Sequence, residues 1–552
     1  MRIFFGLHQD GAAWSDAPAA LGEVALGPAG MLAWLQTRLG LGGLEEPPAL
    51  RLDQYRRRLE AADSREAWFQ KSFALDPWAT AKQLLAWRDE LIAAGWDGRP
   101  LPETTPRLAA LSALEERLEP LAPGFADRLR EALTELPWLD TSAVASIQLA
   151  EPLELLPRLW QLAFAKLREL GVAVESTRPK APAPKTSNLG LLQACLLNPP
   201  LAAKGGPIGR FKSGDESLVL LEADTELETA AAVAMWLAAE PGENGRVALV
   251  APGGPGLLDP ALRRLGLPRL GGGEVSKWRA HLQLLPLVFA NAWEPIEFQA
   301  LREFLALPVG PLRFARSRLL TALTEAGGVG GAKWVQALAG IRELYLNPRE
   351  GIKAKTPAEA EQRLKQLDAM LISDRYLPGD GIPAAAVQER CRWVISHLAP
   401  KVKAEPRLAE PLRQAEELIR LAQGRGKLSR IELERMLDAL IGAGSAASGQ
   451  EGEAAAWLSA PHPGGLPYSR STLIWWNFVG GAPAAETFWS KAERADLLQA
   501  GVCLDEPGQA RRREAFAWRN ALLKATERAI LARPRRRKGE ETLDHPFWDE
   551  IL

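Results

Sequence analysis

The chain has 552 residues, too many for one hydrophobic core, so several domains are expected. Apolar residues make up 47% and charged residues 24%, and 67 Lys and Arg nearly cancel 68 Asp and Glu, which excludes nucleic-acid binding through overall charge and leaves only a local basic surface. Three cysteines cannot build a disulfide framework, so a reducing cytoplasmic location is expected; no apolar run is long enough to cross a bilayer, and the opening MRIFFGLHQDGAAW lacks the layout of a secretion signal.

In chain order, residues 3–7 read as a short strand and 31–39 as an amphipathic helix. Residues 51–170 look almost wholly helical, with Pro at intervals marking helix starts. Within them, Arg56, Arg57 and Arg58 either touch a phosphate backbone or form a solvated face beside Glu60. In SFALDPWATAKQLLAWRDELIAAGW (72–96), Asp76 is a helix cap, Pro77 the first helical residue and Gly95 the stop. Trp87, Arg88, Asp89 and Trp96 are more than a packing helix requires.

Residues 172–174 read as a strand, 178–185 (RPKAPAPK) as an extended basic stretch and 191–197 as a helix. A strand at 217–221 of the buried type, a helix at 226–239, a second buried strand at 247–250, a glycine-rich loop at 252–256 and a helix at 260–265 imply a parallel sheet. Residues 276–450 return to helices, with 281–293 buried and Gly426–Lys427 in a loop. The chain then turns α/β again: a strand at 471–478, a helix at 483–499 carrying Trp489, and a helix-then-strand passage at 509–531.

The order is α/β, helical, α/β, helical, α/β. This predicts two RecA-like parallel-sheet domains, each with a mainly helical insertion, the layout of superfamily 1 helicases. The boundaries expected are 1–50 with 171–210 for the first sheet domain and 51–170 for its insertion. The second sheet domain takes 211–275 with 451–552, and its insertion 276–450. The 72–96 block, the 217–265 α/β unit and the terminal HPFWDEIL together resemble bacterial AddB/RexB-like proteins, in which a degenerate UvrD-type helicase region precedes a PD-(D/E)XK nuclease. The resemblance covers the helicase-like part and implies a DNA-binding subunit. Its partners would be DNA, as a single strand or duplex end, and a UvrD/AddA-type helicase and a PD-(D/E)XK nuclease on another chain. It implies work in DNA end processing, repair or defence against foreign DNA, with no membrane attachment.

The chemistry such a machine needs is hard to find. Gly6, Gly11 and Gly22 are not followed by Gly-Lys-Ser/Thr, so neither phosphates nor Mg²⁺ would be held, and no cofactor is expected. In Arg511–Leu531 the rhythm of an arginine-finger helix persists, with Lys524 or Arg528 as mimics, but the family's Thr-Arg-Ala does not. Neither Pro-Asp nor a suitable Asp/Glu-X-Lys is present. Cys195, Cys391 and Cys503 do not match an iron–sulfur framing and read as buried hydrophobes, and five histidines offer no catalytic grouping. Basic clusters carry the remaining signal: Arg178, Lys180 and Lys185; Arg313, Arg316 and Arg318 around Phe314; and Arg533, Arg535, Arg536, Arg537 and Lys538. Each is a phosphate contact or a solvated surface, and they matter only if folding joins them in a groove. The competing expectation is a protein–protein scaffold without direct DNA contact; an enzyme with unrecognised nuclease residues is a third.

Overall fold

A computed structural model describes residues 1–552 apart from 12–21, 44, 64–66, 102–104, 117–118, 178–179, 198–210, 240–244, 273–274, 327, 348–355, 372–373, 447–451, 482–488 and 549–552. The chain divides into two units, one of residues 1–45, 58–274 and 449–552, the other of residues 46–57 and 275–448.

The first unit is built on two parallel sheets, so the expected α/β class with two parallel-sheet domains is what the structure shows. Sheet A has the order β2-β1-β3-β4, from β1 (Arg2–Phe5), β2 (Glu23–Leu26), β3 (Ser146–Leu149) and β4 (Ala173–Ser176). All its pairs are parallel: Phe5 stands opposite both Leu26 and Leu149, and Leu149 opposite Ser176. β3 interrupts the stretch 51–170, which was expected to be almost wholly helical. Its four residues alternate inside and out between long helical stretches, too few to register as a period.

Sheet B sets β5 (Leu218–Thr225), β11 (Ala525–Arg537), β10 (Arg470–Trp475), β6 (Val247–Val250) and β9 (Leu458–Ala460) side by side, all parallel. β12 (Glu540–Glu541) folds back on β11 through a turn in which Lys538 and Gly539 both have positive φ, 53° and 88°. β10 shows why the sheet is covered on both faces. Leu473 and Trp475 join the core that includes Leu189, Leu192 and Leu522, while Ile474 and Trp476 join the one that includes Val233, Leu237 and Trp457. All of β6 is buried, as expected of a central strand. β5, expected to be buried, is an edge strand: among the described residues its one strand neighbour is β11, and Leu220 is 41% exposed.

The 72–96 block proves structural. Helix α4 (Pro77–Ala93, the fourth helix after Pro28–Leu39, Pro48–Ala62 and Gln70–Leu75) starts as its sequence indicates, with the Asp76 side chain accepting from the Ala79 amide at 3.0 Å. Arg88 is buried and bonded to Asp127 (2.6 Å), Glu115 (3.0 Å) and Asp89 (3.0 Å). Burial opposes its charge, but Asp127 and Glu115 more than offset this and raise its pKa. The Arg107 guanidinium lies over Trp87 and Trp489, 4.8 and 4.2 Å from their ring centres, and is ion-paired to Glu493. Trp96 donates to the Arg99 carbonyl at 2.7 Å. These residues knit helices to one another, and that accounts for their chemical richness.

In the second unit helices dominate the described regular elements, with one hairpin, β7 (Ile382–Pro383) with β8 (Lys427–Leu428), so Lys427 is in a strand, not a loop. The segment Leu284–Ala290 is buried as expected. Asp53 takes Arg56 at 2.8 Å, Arg57 at 3.0 Å and Arg425 at 2.6 Å. In the first unit Arg58 donates to the Glu119 carbonyl at 2.7 Å. Arg56 and Arg58 are thus buried structural ties, not a solvated or DNA-facing surface.

Candidate nucleic-acid interface

At the C-terminal edge of sheet A the chain meets its own acids. The turn after β1 presents the Leu7 amide, and both carboxyl oxygens of Glu151 accept from it at 3.3 Å. Glu151 follows β3 and is buried; that burial pushes its pKa up to about 7, against the pull of backbone hydrogen bonds. Asp10, on the same turn, accepts from the Ala29 and Gly30 amides at 2.7 and 2.9 Å, in the first turn of the helix Pro28–Leu39. Gly27 permits this, since a Cβ there would stand 2.3 Å from the Asp10 nitrogen. Free amides at strand ends and helix starts are what cradle a phosphate. Here carboxyl groups of the chain itself occupy both sets.

β6 leads into the glycine-rich loop, where Gly253, Gly254 and Gly256 adopt φ of 72°, 92° and 51°. Asp259, just beyond it, takes the Leu270 and Gly271 amides at 2.8 and 3.1 Å. Glu226 crowds Gly256, where a Cβ would come within 2.9 Å of its Oε1, and Arg537 approaches the same oxygen at 3.7 Å.

Two of the five histidines are stacked. The His8 and His462 rings lie 3.5 Å apart, and His462 Nε2 is 3.4 Å from Glu514 Oε2. Burial, with His462 adding to it and Glu514 opposing, brings His8 down to about 4. His545 packs between Phe478 and Trp518, where burial brings it to about 4. Among the described residues no group of three His, Cys, Asp or Glu side chains is placed to hold a metal ion. Cys391 is buried, and burial pushes its thiol pKa up; Cys195 and Cys503, expected to be buried, are only half-buried.

The basic residues fare unequally. Arg178 lies outside the described residues; Lys180 and Lys185 are exposed in the stretch after β4. The C-terminal run was expected to be either a phosphate contact or a solvated surface; Arg533 and Arg535 face acids of their own sheet. Arg533 is ion-paired to Asp544 and 3.7 Å from Glu222; Arg535 lies 2.7 Å from Glu222 and 3.3 Å from Asp224. The parallel register explains this: it sets Arg533 beside Glu222 and Arg536 beside Thr225, bringing acidic β5 against basic β11. Arg536 and Lys538 are exposed, Lys538 in the turn.

In the second unit the 313–318 cluster splits. Arg316 and Arg318 are exposed on the helix Arg316–Glu325. Arg313 and Phe314 line a cavity of about 670 Å³ together with Arg363, His397 and Lys401, which sequence reasoning missed. Three elements build it: the loop before Arg316, the helix Pro357–Leu371 with Arg363, and the end of the helix Ala384–Leu398 with the turn beyond it. Phe314 meets Tyr345 edge-on at 5.3 Å; Arg363 lies over both rings, and its Nη1 donates to Tyr345 Oη at 2.9 Å. Lys401 Nζ stands 2.7 Å from His397 Nε2. Burial, then the Lys401 charge, lowers His397 to about 4 against a hydrogen bond to Val309, so the neutral ring accepts from the ammonium. Burial also lowers Lys401; Glu405 opposes this, and Arg313 and Arg363 reinforce it. Among the described residues Arg313, Arg363 and Lys401 form no ion pair, unlike Arg533 and Arg535. No spacing rule links 313, 363 and 401, so only the fold could reveal the cluster.

Compared with models of known protein families and with curated proteins, the chain matches none.

Proposed function

We propose that this chain is a catalytically silent, helicase-shaped DNA-binding subunit that works beside a UvrD/AddA-type helicase and a PD-(D/E)XK nuclease carried on another chain, in DNA end processing, repair or defence. The observation that carries the DNA reading is the trio Arg313, Arg363 and Lys401, which converge on one cavity beside an aromatic pair without carboxylate partners. The silence of the motor is supported by Glu151 and Asp10, which occupy backbone donors suited to a nucleotide's phosphates. The test is a mobility-shift titration with single strands and duplex ends, alone and with the partner helicase. Binding should weaken steeply as salt rises, because phosphate contacts release counterions. No affinity in any of these mixtures overturns the reading, as does magnesium-dependent ATP turnover by the isolated chain.

A scaffold reading has one observation in its favour: Trp138 is 82% exposed in the first unit. Large apolar side chains at the surface suit docking to another protein. Docking of that kind would tolerate salt, so the same titration separates the two.

A further inference from the structure

We propose that the cavity lined by Arg313, Arg363, His397 and Lys401 binds a terminal phosphate monoester of a nucleotide or of a nucleic-acid strand end. This deepens the DNA reading, on which it rests in taking the second unit as the place where nucleic acid is held.

The argument starts from charge. Three cations line the cavity against the carboxylates Glu359 and Glu405, and among the described residues none of the three cations is in an ion pair. Elsewhere in the same unit Arg56 and Arg425 share Asp53 and Arg413 is paired to Glu417, while Arg390 and Arg375 are tied to backbone carbonyls. The cavity therefore presents convergent positive charge that no carboxylate of the described residues pairs. A phosphate monoester carries about 1.5 to 2 negative charges at neutral pH, whereas a diester within a strand carries one. The monoester is the better counterpart of three convergent cations.

Geometry selects further. Arg363 is held by Tyr345 Oη and by the Phe314 and Tyr345 rings, which fixes the plane of its guanidinium. A fixed planar fork meets two phosphate oxygens at once. Lys401 is steered by the neutral His397 ring at 2.7 Å, which takes one of its three N–H groups. Arg313 stands on the loop opposite, exposed and able to close on a ligand. A volume of about 670 Å³ exceeds a bare phosphate and fits a group of nucleotide size. Phe314, in the cavity wall, supplies ring surface for its base or sugar.

Two measurements test this. Isothermal titration of the full chain with dAMP should show binding, and deoxyadenosine, which lacks the phosphate, should show none. The variants Lys401→Gln and Arg313→Gln should each weaken dAMP at least about tenfold, the usual size of a lost charged hydrogen bond. Two positions on different elements are used so that a folding defect in one leaves the other to decide. Absence of heat with dAMP at millimolar concentration, or equal binding by dAMP and deoxyadenosine, overturns the proposal whether or not DNA binds. A fluorescent oligonucleotide with a 5′-phosphate or a 5′-hydroxyl then identifies the source. Preference for the phosphate, lost in Lys401→Gln, assigns the cavity to strand ends. Equal binding of both ends, with dAMP still bound, assigns it to free nucleotides. Binding of dAMP without any binding of DNA leaves the cavity assigned and removes the DNA reading.

Discussion

Glu151 is placed against its own preference. Its carboxyl is buried, faces the Leu7 amide and has its pKa raised to about 7, above the ordinary carboxylate value. The sign of the consequence follows from linkage. Between the ordinary value of 4.5 and about 7 the folded chain keeps a proton that the unfolded chain releases. Folding is therefore penalised progressively as pH rises through that window, and the penalty is complete above it. Glu151→Gln keeps an oxygen for the Leu7 amide and removes the buried charge. It should raise the melting temperature at pH 8 and give no gain at pH 4.5. An equal effect at both pH values would show that the carboxyl is not desolvated. Glu151 was invisible in the sequence because its chemistry comes from the short strand β3 pairing beside β1, and that strand left no periodic trace.

Gln193 shows the same dependence at the scale of elements. It lies on the helix Asn188–Leu197, fully buried, and donates to the Leu522 and Ala525 carbonyls at 2.9 and 2.8 Å while accepting from the Ala183 amide at 3.0 Å. One side chain thus ties this helix to the junction where the helix Gln509–Leu522 becomes β11. Gln193→Leu conserves volume but strands three buried backbone groups, at about 1–3 kcal/mol for each. Urea unfolding should show a loss of at least about 2 kcal/mol; a loss under 0.5 kcal/mol would mean that water or local shifts re-satisfy those groups. What was legible at this scale was local. The helix over Glu226–Ala239, the strand Val247–Val250 and the Asp76 cap follow from spacing and cap chemistry that a few neighbouring residues determine. What depends on strand neighbours was not legible. β5 has the apolar run of a central strand yet sits at an edge, and the arginines of β11 acquire acids only because β5 is their neighbour. The cavity trio is the extreme case, with cations drawn from three elements that only tertiary packing brings together.

For the whole molecule, the titratable groups set a direction of acid sensitivity. His8 and His545 in the first unit and His397 in the second are each lowered by burial from 6.5 to about 4. For a depressed histidine, the unfolded chain takes up a proton below pH 6.5 that the folded chain refuses until about pH 4. Stability is thus lost as pH falls through that window. Glu151 works the other way over part of the range, as do Asp259 and Glu417, which burial raises, while the lowered His281 adds to the histidines. Each fully engaged histidine contributes about 1.4 kcal/mol per pH unit, less for His8, which water partly reaches. The net slope is then on the order of 2 kcal/mol per pH unit between 6.5 and 4.5, large against a total stability of about 5–15 kcal/mol. Urea midpoints measured from pH 7.5 to 4.5 should fall steeply below 6.5 and stay nearly level above it. His545→Phe keeps an aromatic ring against Phe478 and Trp518 but cannot take a proton. It should cost stability at pH 7.5, because the Phe547 amide loses its acceptor at His545 Nδ1, yet flatten the acid limb by about half or more. A parallel acid limb in this variant would mean that His545 already accepts a proton in the folded chain, and the buried-histidine account of the acid limb would fail with it.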